Sequence, residues 1–291
     1  MTGDDWMAVQ IITDSTSYIN KNVKEELKIK IVSLIVTFGN DSFKETGIKS
    51  SDFYDMMDKR GVPISSQPSI QDLYEKMKTI LIEGDDALCV FLSSAMSGTF
   101  STAHIAKEMV LEEFKDGKIE IIDSKSNCMQ LGFCACLAAR AAREGENLNE
   151  LRRLVEENIR RSRFLFIPDN LTYLRKGGRI GGAGALLGSI LKIIPILTVE
   201  GGVTTVLSKV RTKRKAVKAM LNKVISDIDK FGLGEIVVHH INCLDEATEL
   251  SEKIKELLGL EVEICDIGPV IGLHVGPGAI GIAYYTKENM R

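Results

Sequence analysis

From Ala8 to about Ile159, short runs of β-branched and apolar residues alternate with segments of helical length. That rhythm constrains the fold more than any other feature of the chain. AVQIITD, KIVSLIV, ALCVFLSS and KIEIIDS read as strands. Between them, KNVKEEL, Asp52–Arg60 and SGTFSTAHIAKEMVLEEF read as helices, and two more span Lys125–Ile159. Ser69, with Asp72 three residues on, is an N-cap signature, so a helix starts there. FGNDSFKE reads as a hairpin turning at Gly39, Asn40 and Asp41, and VPISSQPS as a loop. Strands joined by helical crossovers run parallel, so the N-terminal part is a parallel α/β sheet.

After about Arg163 the rhythm changes. FLFIPD is a strand, followed by a glycine cluster and an apolar helix at Ala183–Leu191. IIPILTVEGGVTTVLSKV reads as a hairpin turning at Gly201 and Gly202. KAVKAMLNKVISDI places Ala216, Val217, Met220, Leu221, Val224, Ile225 and Ile228 on one helical stripe. EIVVHH, EVEICDI and GIAYYT are strands, and LDEATELSEKIKELLG is a helix. The fold class expected is α/β: an N-terminal parallel-sheet domain over residues 8–162, a C-terminal α+β domain over 163–291, and a ligand between them. No repeat or low-complexity linker separates the halves, so they pack against each other.

The 291 residues, 44% hydrophobic and 26% charged, suit a globular protein with a sizeable core. A net charge of −3 provides no footprint for nucleic acid or an anionic membrane. The longest apolar stretch, Ala183 to Val199, is broken by Lys192 and Pro195 and falls short of the ~20 residues of a span. No stable membrane insertion is expected. The opening MTGDDWM is acidic and fits neither a secretory signal nor a transit peptide. Six cysteines fall inside elements without a CxxC pair, and four histidines do not join them at metal-ligand spacing. These features lead to an expectation of reduced core thiols, a cytoplasmic location and no metal.

GPGAIG at 276–281 spells GxGxxG, but a β-type segment follows it where a dinucleotide site needs a helix. There is no P-loop and no GxSxG elbow. KGGRIGGAG, after a short helix, could cradle a phosphate, but it also reads as plain loop geometry. Two serine turns, SSQPS at 65–69 and SSAMSGT at 93–99, precede helices. Helix N-termini at the carboxyl ends of parallel strands suit an anion. The same serines also read as ordinary caps. His274 sits in an apolar, glycine-dotted run, VIGLHVGPGAIG, where an unpartnered imidazole would be expensive to bury. It reads either as a ligand group under a sheet-edge turn or as a satisfied core residue.

TDSTS, SSQPS, SSAMSGTFSTA, IDSKS, YLRKGGRIGG, KIIPILTVEGG, RTKRKA and HVGPGAIG occur here in one order. In that order the chain resembles the DegV family (EDD fold), from about Val9 to Tyr285. The resemblance implies a carrier with no catalytic residue of its own and no cofactor. Its ligand would be a long-chain fatty acid such as palmitate, buried between the domains. It also implies a partner, the ATP-binding subunit of a two-part fatty acid kinase, which phosphorylates the presented carboxylate to acyl phosphate for phospholipid synthesis. Carried over by position, the carboxylate-binding residues are Ser65, Ser97, His274 and Arg211. The family commonly has threonine at the position of Ser65; the hydroxyl is kept and a methyl is lost.

The KGGRI motif, Lys176–Ile180, is associated with partner docking in the family. Arg175, Lys176 and Arg179 are therefore the docking candidates, with a solvated basic loop as the alternative. The apolar segment before the hairpin, with Leu186, Leu187, Ile190 and Ile194, reads as a lipid tunnel wall or as plain core. Two other functions would use the same residues. One is a lipid-sensing regulator; the other is a stand-alone enzyme using His274 on a small carbonyl or phosphorylated substrate.

Overall fold

The computed structural model describes residues 8–187 and 193–290. Its first part runs β1 (Val9–Asp14), α1 (Lys21–Glu26), β2 (Lys30–Val32), β3 (Ile35–Phe38), β4 (Asp41–Lys44) and α2 (Ser50–Arg60). It continues with β5 (Ile64–Ser66), α3 (Ile70–Ile82), β6 (Asp86–Phe91), α4 (Thr99–Glu113) and β7 (Ile119–Asp123). Then follow α5 (Cys128–Arg143), α6 (Leu148–Arg161), β8 (Ser162–Ile167) and α7 (Thr172–Lys176). The last part is β9 (Ile194–Glu200), β10 (Val203–Val210), α8 (Lys213–Phe231), β11 (Leu233–His240) and α9 (Leu244–Leu258). It closes with β12 (Glu263–Asp266), α10 (Pro269–Val275) and β13 (Ile280–Thr286).

The strands form three sheets. A four-stranded parallel sheet has the order β2-β1-β6-β7. A six-stranded mixed sheet has the order β10-β9-β8-β13-β11-β12, parallel only between β11 and β12. A small antiparallel sheet, β4-β3-β5, stands apart from both. The α/β class and the two main sheets expected from the sequence are present, as are the hairpins at Gly39–Asp41 and Gly201–Gly202. Ser69 caps α3, its hydroxyl accepting from the Asp72 amide at 3.0 Å.

Strand periodicity explains how the layers stack. On one face of the parallel sheet, Ile12, Cys89 and Phe91 pack with Leu73 and Met77 of α3 and Ala103 of α4. On the other, Ile11, Leu88 and Val90 meet Leu131 and Phe133 of α5. Phe164 and Phe166 of β8 join that same cluster from the six-stranded sheet. Leu165, Ile196 and Ile282 face the opposite way, onto Met220 and Val224 of α8 and Leu250 of α9. Helix α5 therefore lies between the two large sheets, in contact with β1, β6, β8 and β13. Cys134 and Cys136, two apart and on different faces, are both buried, because every side of this helix is enclosed.

Three local readings change. KIVSLIV is two strands, β2 and β3, in different sheets, with a bend at Ser33 and Leu34 whose Ser33 hydroxyl accepts from the Thr46 amide at 3.2 Å. The supposed loop VPISSQPS contributes β5, paired to β3 with Val36 opposite Ser65. Of the apolar α-helix expected at Ala183–Leu191, residues 183–186 belong instead to a 3₁₀ segment, Gly181–Leu186, and Leu187 is extended; residues 188–191 lie outside the described residues. Gly181, Gly182 and Gly184 remove the helix propensity that Ala and Leu would provide.

Gly132, within α5, is a packing constraint. A Cβ there would lie 2.8 Å from the Ser17 carbonyl and 2.6 Å from Met129 Sδ. Gly132→Ala gains up to about 1 kcal/mol of helix propensity. Forcing the Ser17 backbone aside costs about 1–3 kcal/mol, so overpacking wins. Urea unfolding should show a lower midpoint with a net loss of up to about 2 kcal/mol; a raised midpoint would show that α5 is loosely held.

Candidate functional site

Where the parallel sheet ends, the six-stranded sheet and the small sheet come together around a cavity. Its volume is about 90 Å³. Its apolar wall includes Leu34, Leu92, Phe164, Phe166, Val199 and Ile271. The two phenylalanines stack at 5.1 Å, two residues apart on β8 and so on one face of the strand. The polar lining includes Ser65, Gln67, Ser97, Asn127, Arg179 and His274. Among the described residues that line it, Arg179 and His274 are the only titratable ones, and no carboxylate is present.

His274 is carried not by a sheet-edge turn but by α10, a two-turn helix with Pro269 in its first turn. Proline is tolerated there because that position has no intrahelical bond to lose. His274 Nε2 lies 2.8 Å from Ser65 Oγ on β5. Its Nδ1 is buried without a partner, facing Gly177, where any Cβ would run into the ring. A neutral imidazole carries one N–H. Placing the proton on Nδ1 would bury an orphaned donor, so the bonding pattern assigns it to Nε2. Nε2–H then points to Ser65, whose own hydroxyl proton is free to serve the cavity. Burial, and next the nearby Arg179 cation, push His274 down to about 4, so the ring is neutral at pH 7.

Ser97 lies in the turn before α4. Its Oγ accepts from the Thr99 amide at 3.3 Å and is 2.9 Å from Thr99 Oγ1. It therefore acts as a local cap and lines the cavity at the same time. Gln67 backs this turn: its amide nitrogen donates to Thr102 Oγ1 at 2.9 Å, and its side chain fills the space over Gly98. Arg179 ties the pieces together. Its Nε donates to the Met96 carbonyl at 3.0 Å, next to Ser97, and its Nη1 to the Gly177 carbonyl at 2.6 Å, beside the His274 ring.

The structure brings Ser65, Ser97 and His274 to one cavity and leaves Arg211 outside its lining, exposed in the turn after β10. The guanidinium that lines the cavity belongs to Arg179. Arg175 and Lys176 are exposed at the end of α7. Leu186 is buried, Leu187 is 41% exposed and Ile194 is half-buried; none of the three lines the cavity. Ile190 lies outside the described residues. One site residue was not singled out from sequence. Asn127 holds the N-cap position of α5 yet makes no cap bond; its amide nitrogen lies 3.3 Å from Met96 Sδ and its Oδ1 is buried without a partner. The next residue, Cys128, has φ +52°, a left-handed conformation rare for a side-chain-bearing residue. An asparagine before a helix reads as a cap, so its sequence gives no signal of this role.

Fold and cavity define an α/β protein whose two large sheets and one small sheet meet at a cleft. The chain belongs to the DegV family: a family model described as "Uncharacterised protein, DegV family" matches residues 8–287. It is 61% identical to a DegV domain-containing protein of Clostridium acetobutylicum over 285 residues, 98% of this chain and 100% of the relative. Its fold is similar to that of DegV from Bacillus subtilis, described as a fatty acid binding protein. The two are 33% identical with a TM-score of 0.86, over 97% of this chain and 100% of that one. A DegV family protein from Thermus thermophilus, whose structure is described by its fatty acid binding, is 26% identical. It also has a TM-score of 0.86, covering 96% of this chain and 100% of that one.

The His274 environment sets a pH dependence. The unfolded chain protonates this ring near 6.5, whereas the folded chain resists protonation down to about 4. Between those values the unfolded state binds more protons, so acidification through that window removes stability. Relative to His274→Gln, the wild type should lose stability as pH falls from about 6.5 to about 4, and NMR should place the ring titration near the lower value. A His274 titrating near 6.5 with parallel stability curves would contradict the buried, neutral assignment.

Proposed function

We propose that this protein binds a long-chain fatty acid such as palmitate in the cavity between residues 8–162 and 163–291. It would then present the carboxylate to a separate ATP-dependent kinase subunit. The observation that carries the reading is the cavity's composition: apolar walls, hydroxyls of Ser65 and Ser97, a neutral His274 and, among the described residues that line it, one guanidinium and no carboxylate. Family membership and the fatty acid binding described for the Bacillus subtilis relative point the same way.

Energetics say which end decides. Burying a sixteen-carbon tail at ~0.8 kcal/mol per CH₂ gains roughly 10 kcal/mol relative to water. A bilayer offers the tail much the same, so the tail alone does not draw the lipid out of a membrane. The head group supplies the difference through charge-assisted bonds of about 1.5–3 kcal/mol each. The hydroxyls of Ser65 and Ser97 would donate to the carboxylate, the His274 Nε2–H would hold the Ser65 oxygen so that its proton faces the ligand, and Arg179 would balance the charge. In the partner reaction the γ-phosphoryl group of ATP passes to a carboxylate oxygen and ADP leaves. The product is an acyl phosphate destined for phospholipid synthesis. A cytoplasmic location fits that role; among the described residues, no helix is long and apolar enough to cross a membrane.

If these donors hold the carboxylate, His274→Ala and Ser97→Ala should each weaken palmitate binding by about 1–3 kcal/mol. Hexadecanol should bind the wild type more weakly than palmitate and lose little further in the variants. Equal losses for acid and alcohol would remove both residues from the head-group site.

Docking is the second test. Arg175 and Lys176 are exposed on α7, one turn before Arg179 enters the cavity wall, so a partner contacting them would sit over the head-group end. Reversing both to glutamate should slow acyl-phosphate formation with the kinase subunit by at least about tenfold while leaving lipid content intact. Normal turnover in the double variant would place the docking surface elsewhere.

A further inference from the structure

Glu45 is 4% exposed and lies just after β4, behind the helix that carries His274. Its Oε1 accepts from the Val270 amide at 2.8 Å and from the Tyr18 hydroxyl at 2.8 Å. Its Oε2 accepts from the Ser15 hydroxyl. Tyr18 Oη in turn accepts from the Ile271 amide at 3.2 Å. The residue preceding α10 is Gly268, which has no side chain to cap the helix. The first amides of α10 are therefore satisfied by Glu45 and Tyr18, groups more than two hundred residues away in sequence.

The small sheet grips α10 at both ends. Glu45 is anchored to it, its amide donating to the Leu34 carbonyl at 2.9 Å next to β3. Ser65, on β5 of the same sheet, meets His274 at the far end of the helix. Val270 and His274 are four residues apart, one helical turn up the same face. Where the first contact places the helix, the second places the ring.

We propose that Glu45 is a positioning residue of the head-group site: its carboxylate fixes the first turn of α10 and so sets where the His274 ring meets Ser65 and the ligand. The proposal rests on the head-group reading of His274 given above. Burial pushes the Glu45 carboxyl up to about 7, against the pull of the hydroxyl and amide donors around it. An acidic group kept in such a place is better explained by what it holds than by stability alone.

Three full-length proteins test it at pH 8, with palmitate and hexadecanol as probes and ¹⁵N-labelled histidine for NMR. Glu45→Ala leaves the Val270 amide and the Tyr18 hydroxyl without an acceptor. It should bind palmitate about tenfold more weakly, lose much less for hexadecanol, and shift the His274 ring signals even without lipid. Glu45→Gln keeps the oxygen that accepts from Val270 and Tyr18 and replaces the one that accepts from Ser15 with an amide N–H that can donate to the Ser15 oxygen. It should stay within about threefold of wild type, with His274 signals close to the wild-type ones. A Glu45 that only stabilises the fold would lower the melting temperature, weaken acid and alcohol equally and leave the ring signals in place; that result overturns the proposal. Should Glu45→Ala fail to fold, Tyr18→Phe removes the hydroxyl between Glu45 and Ile271. Unmoved His274 signals in that variant overturn the proposal as well. Absence of any acid-over-alcohol preference in the wild type would instead defeat the head-group reading, while the ring signals still decide the role of Glu45.

Discussion

Everything in this molecule is arranged around α5, a helix enclosed between two sheets. A helix satisfies its own backbone bonds, so it can be buried on all sides, whereas a loop in the same place would strand unpaired N–H and C=O groups. Leu131, Phe133, Cys134, Ala135, Cys136 and Ala138 are all buried, and they face both sheets at once. Their small and medium side chains set how closely the sheets approach, and Gly132 lets the Ser17 backbone lie directly against the helix. Because one cluster spans both sheets, the N-terminal and C-terminal parts share a core.

The cavity follows from that arrangement. Two sheets held apart by a helix leave a gap where the helix begins, and Asn127, at the N-cap of α5, lines it. The remaining elements close the gap: the small sheet with Ser65, the turn with Ser97, the loop after α7 with Arg179, and α10 with His274. Each brings a polar group, whereas Phe164 and Phe166 supply an apolar wall from β8. Neutral donors and one cation, with no opposing carboxylate among the described residues of the lining, make a site complementary to an amphipathic anion.

Inside the cavity wall the electrostatics stay local. His274 is kept neutral by burial and by Arg179, so the guanidinium carries the positive charge and the imidazole contributes only a directed N–H. Outside the lining, Glu45 behind α10 and Asp14 at the end of β1 are both buried and both raised, chiefly by desolvation, to about 7 and about 6. Asp14 accepts from the Leu92 amide at 2.7 Å and from the Thr16 amide at 2.9 Å. Asp14 thus holds backbone at the ends of β1 and β6, whereas Glu45 holds the first turn of α10, and neither lines the cavity.

Features that depend on neighbours within a few residues are legible in the sequence. Alternation and helical spacing located most strands and helices, Ser69 and Asp72 marked the start of α3, and Gly201 and Gly202 marked a hairpin. Ordered motifs pointed to Ser65, Ser97 and His274, which the fold then gathered in one cavity. Features that depend on partners far along the chain emerge only once it is folded. KIVSLIV divides between two sheets because Val32 pairs with Asp14, whereas Val36 pairs with both Phe43 and Ser65. VIGLHV, rich in β-branched residues and glycine, becomes a helix because Glu45 and Tyr18 satisfy its first amides. Arg179 and Arg211 are alike as residues, yet only the first lines the cavity, because a cation's role is set by where folding leaves it. Local pattern fixes the conformation of a segment; hydrogen bonds and charges that close across hundreds of residues fix which segments meet.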